Sequence, residues 1–206
     1  MSVETALLAY LAAAGLLTVT PGLDTALVLR TAAVEGRRRA ALASFGIATG
    51  LLVWGLAVAL GLGVLLAASQ AAYTALKWAG AAYLVWLGVH LILKPRSRFD
   101  LGGASAKPGG GSWARGLLTN LLNPKVGAFY VSFLPQFVPA GVPAAPFVLL
   151  LAAIHVTLGL LWCGVLILAT TPLKRWLERR AVVRWLDRIT GTVFIGFGAR
   201  LALERR

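Results

Sequence analysis

The chain has 206 residues, of which 59% are hydrophobic and 13% charged, with a mean hydropathy of +0.81. A soluble domain carries about 25% charged residues, so the composition excludes an ordinary water-soluble fold. The net charge of +13 does not mark a nucleic-acid binder, because the basic residues gather in short clusters between apolar stretches instead of along one face.

A membrane span needs about 20 apolar residues to cross a hydrocarbon core of about 30 Å. Six stretches near that length follow one another, at about 5–29, 41–67, 71–93, 115–138, 145–169 and 184–203. The first is read as a retained helix, since Met1-Ser2-Val3-Glu4 lacks the basic lead of a signal peptide. Basic clusters fill the connections near 30–40 (Arg30, Arg37, Arg38, Arg39), 94–115 (Lys94, Arg96, Arg98, Lys107, Arg115) and 174–184 (Lys174, Arg175, Arg179, Arg180, Arg184). The connections near 67–72 and 138–145 carry no charge. Short basic loops lie on the cytoplasmic side, which places both termini outside. Arg200, Arg205 and Arg206 fit that orientation poorly.

The Gly- and Pro-rich stretch 95–111 is the linker of a single transmembrane domain, 1–206, with halves 1–94 and 112–206. The halves resemble one another in order. Leu16-Leu17-Thr18 followed by Pro21 answers to Leu117-Leu118-Thr119 followed by Pro124, and Thr49 with Trp54 answers to Thr157 with Trp162. Gly88-Val89-His90-Leu91 answers to Gly198-Ala199-Arg200-Leu201, and Lys77 before Gly80 to Arg188 before Gly191. Three spans per half turn the second half upside down. The expected fold is therefore an all-α integral membrane protein of about six helices in a 3+3 inverted-topology repeat, an architecture recurrent among secondary transporters.

Spans one and four are interrupted at matching places. Pro21-Gly22-Leu23-Asp24 breaks the first, and Asn120-Leu121-Leu122-Asn123-Pro124-Lys125 breaks the fourth. Proline removes a backbone donor, and in lipid the freed carbonyls survive only against protein or water. Paired broken helices point to a midplane transport site. Freed carbonyls there could hold an ammonium and helix N-termini a carboxylate; an amino acid carries both. Asp24 reads either as a proton or substrate-ammonium site or as a helix cap, and Lys125 either as its partner or as a snorkelling side chain. Asn120 and Asn123 could bond the substrate or the broken backbone. His155 could line the cavity, whereas His90 and Gln136 read as interface residues. Gly46 and Gly50 supply faces for close helix packing, and the tryptophans read as belt or packing residues.

These residues resemble those of the lysine-exporter and homoserine/threonine-resistance (LysE/RhtB) type of bacterial amino-acid exporter. The resemblance runs through Thr20-Pro21-Gly22-Leu23-Asp24, Gly36-Arg37-Arg38-Arg39, Gly46-Ile47-Ala48-Thr49-Gly50, Gly80 to Gly88, Gly116 to Lys125, and Phe133-Leu134-Pro135-Gln136-Phe137. The chain departs from the family pattern at Leu23, where Pro is common, and at Trp113, where a Phe is usual. The resemblance implies efflux of an amino acid from the cytoplasm across the bacterial inner membrane, driven by protons, with no cofactor and no enzymatic activity; a homo-oligomer stays open. Other classes fit less well. A thiol–disulfide electron carrier needs two cysteines and the chain has only Cys163. A metal exporter needs a ligand cluster, which two distant histidines do not offer. A non-transporting scaffold would not depend on Asp24.

Overall fold

The computed structural model describes residues 2–68, 70–94, 111–170 and 179–203. The linker 95–110 lies outside them, as do Arg96, Arg98, Lys107, Lys174, Arg175, Trp176, Arg205 and Arg206. Every element among the described residues is helical. In chain order these are α1 (Val3–Val19), α2 (Leu23–Val34), α3 (Arg37–Ala68), α4 (Gln70–Leu93), α5 (Ser112–Leu121) and α6 (Pro124–Ala128). A π-turn at Phe129–Phe133 and a 3-10 turn at Leu134–Phe137 follow, then α7 (Ala144–Leu168) and α8 (Arg180–Leu203).

The helices lie where the apolar stretches lie. Arg37–Gly61 within α3 and Ala144–Leu168 are long and apolar enough to cross a membrane, and α1 with α2, bent by 50° at their break, adds a third crossing if the pair is one span. The fourth apolar stretch differs from the single break expected for it. It is divided three times, because Asn123-Pro124 stops α5 and Pro135 follows closely behind a widened turn.

Two apolar clusters hold the helices together. One joins α1 to α7 and to the segment after α6 through Tyr10, Phe129, Tyr130, Phe133, Phe137 and Leu151. The other joins α2, α3, α7 and α8 through Val28, Leu29, Ile47, Leu166 and Leu186. Close backbone approaches add to this. A Cβ on Gly46 would meet the carbonyl of Trp113, and one on Gly116 the carbonyl of Ala43, so α3 and α5 touch backbone to backbone. Likewise Gly88 of α4 and Gly191 of α8 face each other's carbonyls, at 2.5 and 2.6 Å from the Cβ each lacks. Small residues at such crossings gain dispersion contact that lipid cannot supply.

A polar clasp ties the halves at one end. α2 stops at Glu35, and Gly36, at φ +92°, makes the left-handed turn into α3. Arg115 of α5 donates from both terminal guanidinium nitrogens to the Glu35 carboxylate, at 2.7 and 2.6 Å, while Arg39 donates to it at 3.2 Å. Such a fork is a strong, oriented ion pair. Hydrogen bonding from Arg115, then Arg39, holds the Glu35 carboxyl at about 2, below its ordinary 4.5. The stabilisation is complete above the ordinary value and is lost as pH falls through the lowered one. The melting-temperature advantage of wild type over Glu35→Gln in detergent should therefore be full at neutral pH and shrink between 4.5 and about 2. A difference independent of pH would contradict the clasp.

Candidate functional site

The two breaks are built alike. In the first, Gly22 is the N-cap of α2, Leu23 takes the first helical position and Asp24 the second. In the second, Asn123 is the N-cap of α6, Pro124 the first position and Lys125 the second. Leu16-Leu17-Thr18 and Leu117-Leu118-Thr119 stand at the same offset from these caps. Counted from the caps, Pro124 stands at the position of Leu23 and Pro21 at that of Leu122, so the two prolines do not occupy matching places.

The first break is closed from the other half of the chain. Pro21 has no N–H, so the carbonyl of Leu17, four residues back, loses its helical partner. Thr20, in extended conformation at the C-cap, exposes its own carbonyl as well. The Lys125 ammonium donates to both, at 2.9 Å each. A cation thus sits at the C-terminus of α1, where the helix dipole favours it. Lys125 does not snorkel. The freed carbonyls hold an ammonium of the chain itself, where the sequence reading had a substrate's in view.

Asp24 lies across from it, close enough to feel the charge of Lys125. The Asn120 amide donates to Asp24 Oδ2 at 2.8 Å, whereas Oδ1 is buried without a hydrogen-bond partner. Asp24 is therefore not the cap of α2; Gly22 is. Asn123 accepts from the Lys125 backbone N–H at 3.1 Å and so serves the broken backbone, while Asn120 donates to Asp24, a partner not read from the sequence.

Between the breaks and α7 lies a partly open cavity. Thr20, Gly22, Asp24, Asn123 and Lys125 line it on one side, and His155 and Trp162 on another. Of the residues singled out from sequence, Pro21, Gly22, Asp24, Asn120, Asn123, Pro124 and Lys125 are gathered at the breaks. Gln136 is elsewhere, bonded to the Ser132 carbonyl at 2.7 Å, and His90 stacks on exposed Trp86.

Sequence reasoning missed Thr190. Thr20 Oγ1 donates to the Leu16 carbonyl at 2.7 Å, so the Thr190 hydroxyl, 2.6 Å away, donates to Thr20 and ties α8 to the first break. No motif marks such a contact. The role of Gly50 is also specific: a Cβ there would meet Asn120 Oδ1 at 2.5 Å and Asn120 Cβ at 2.9 Å. Gly50→Ala should destabilise the protein by about 1–3 kcal/mol through overpacking. In an Asn120→Gly background, where the obstructing side chain is gone, the same change should cost much less. Thermal melting of the four purified proteins checks this, and purely additive costs would contradict the contact.

The LysE type translocator family model matches residues 15–205. An uncharacterized membrane protein of Bacillus subtilis is 32% identical, with 96% of this chain and 99% of that protein covered. A leucine efflux protein of Klebsiella pneumoniae is 31% identical over 95% and 93% of the two chains. A homoserine/homoserine lactone efflux protein of Salmonella typhi is 31% identical over 96% of each. No solved structure matches. With nearly its whole length matched, this helical chain, broken beside a cavity that holds a carboxylate and an ammonium, belongs to the LysE type translocators: it is a membrane transporter, not an enzyme.

Proposed function

We propose that this chain exports amino acids from the cytoplasm across the bacterial inner membrane, coupled to protons, as one six-span domain of two inverted halves. The observation that carries the reading is Asp24 Oδ1, a carboxylate oxygen buried without a partner beside a cavity at two broken helices. Such a carboxylate suits a proton or an ammonium in turn, because either supplies the hydrogen bond the protein withholds. The leucine and homoserine efflux proteins among its relatives support an amino-acid cargo.

The inverted repeat is supported by the caps at equal offset and by the packing. α3 packs on α7 and α4 on α8, each pairing a helix with its counterpart in the other half. The three-span halves then rock about the cavity, and the Glu35–Arg115 clasp, beside the basic Arg37-Arg38-Arg39 turn, marks the cytoplasmic end. Both termini lie on the far side. Pro21 and Pro124 keep the breaks open, Gly22 and Asn123 cap the resumed helices, Asn120 orients Asp24, and Lys125 tunes its charge.

The test is transport of a panel of labelled amino acids in proteoliposomes under an imposed pH gradient. Wild type should move one or a few of them with the gradient. Asp24→Asn should lower that rate about tenfold or more, the worth of one charge-assisted hydrogen bond. Equal transport by the variant would remove Asp24 from the mechanism. No transport of any amino acid by folded wild type would point to another solute or to a scaffold.

A further inference from the structure

α4 and α8 meet along one seam. A Cβ on Gly191 would meet the Gly88 carbonyl, Leu91 and Ile92, and one on Gly198 would meet Ala81 and Val85, so the two helices run antiparallel. On α8 the seam is Gly191, Ile195 and Gly198, at steps of four and three that keep to one helical face. Followed back towards the start of α8, steps of three and four give Arg188, Arg184 and Arg180. By the same register α4 runs out at Leu93 and Lys94, about level with Arg188. The face that α4 covers further along is therefore open here and carries only cations. Arg180, Arg184, Arg188 and Lys94 are all exposed. Among the described residues none of the four has an acidic partner, and Asp187, the one carboxylate of α8, is buried.

Like charges four apart on a helix repel, so a row of three arginines calls for an anion from outside the chain. Its surroundings say which. Leu93 and Trp185, beside the cations, are 74% and 64% exposed. From Trp185 to Leu203 α8 rises about 27 Å, close to the thickness of a hydrocarbon core. Trp185 then stands at its edge, where tryptophan gathers, with Arg180 and Arg184 at headgroup level and Arg188 snorkelling up to it. An anion tethered to apolar chains fits both halves of this patch, and guanidinium groups match phosphate oxygens in geometry. We propose that Arg180, Arg184, Arg188 and Lys94 bind the phosphodiester headgroup of an anionic phospholipid, whose acyl chains lie against Leu93 and Trp185. This rests on the six-span reading above, in which α8 crosses the bilayer, and not on the cargo.

The test is native mass spectrometry of the purified full chain in nonionic detergent, titrated with phosphatidylglycerol or with phosphatidylcholine of the same acyl chains. Wild type should bind phosphatidylglycerol about tenfold or more tighter, since each basic residue near an anionic headgroup is worth about fivefold. Arg184→Gln/Arg188→Gln should lose most of that preference and either single change part of it, so whichever is recovered folded decides the matter. Arg184→Lys/Arg188→Lys should keep some of it. Arg37→Gln/Arg38→Gln, which removes the same charge from an exposed turn elsewhere, should keep all of it. Equal affinity for the two lipids, a preference lost as much from the Arg37–Arg38 turn as from α8, or displacement by inorganic phosphate at equal concentration each overturns the proposal. No transport enters the readout, so its failure and that of the export reading are told apart.

Discussion

A single missing hydrogen organises the site. Pro21 cannot donate to the Leu17 carbonyl, and in an apolar setting an orphaned carbonyl needs a partner from elsewhere. The chain supplies Lys125, from the other half, which reaches that carbonyl and the one at Thr20. The break in α1 and the charge in α6 are thus one feature. Removing Lys125 leaves those carbonyls without this donor.

From that contact the rest of the arrangement follows. With Lys125 committed to the first break, α5 and α6 lie against α1 and α2, which brings Asn120 to Asp24. Room for Asn120 requires a glycine at position 50, and the approach of α5 to α3 requires Gly46 and Gly116. At the far end of α5, Arg115 meets Glu35. The halves are held at a buried polar centre and at a polar clasp, with apolar helix packing between. The contribution of the two halves is unequal in charge, a carboxylate from one and an ammonium from the other, at equivalent positions in their helices.

Much of this was legible in the chain. Helix positions followed from hydropathy, because the thickness of a bilayer dictates the length of an apolar run. The breaks followed from proline and the buried charges from their rarity in such runs. What escaped were contacts between helices far apart in sequence. Glu35 sits among basic residues and gives no sign of which one it will fork with. Thr190 is one threonine among many, and its bond to Thr20 depends on how α8 lies across α1. The prolines stand on opposite sides of their caps, Pro21 before Gly22 and Pro124 after Asn123, a difference that lies in backbone conformation and not in residue type.

The central claim is that Lys125 is held by carbonyls that Pro21 sets free. A double-mutant cycle of Pro21→Ala and Lys125→Met, read by thermal melting of the purified protein, tests it directly. The alanine returns a donor to the Leu17 carbonyl. Lys125→Met should therefore cost less in the Pro21→Ala background than in wild type, with a coupling of about 0.5–3 kcal/mol. Costs that simply add would mean that the ammonium and the break stabilise the protein independently, and the account would be wrong at its root.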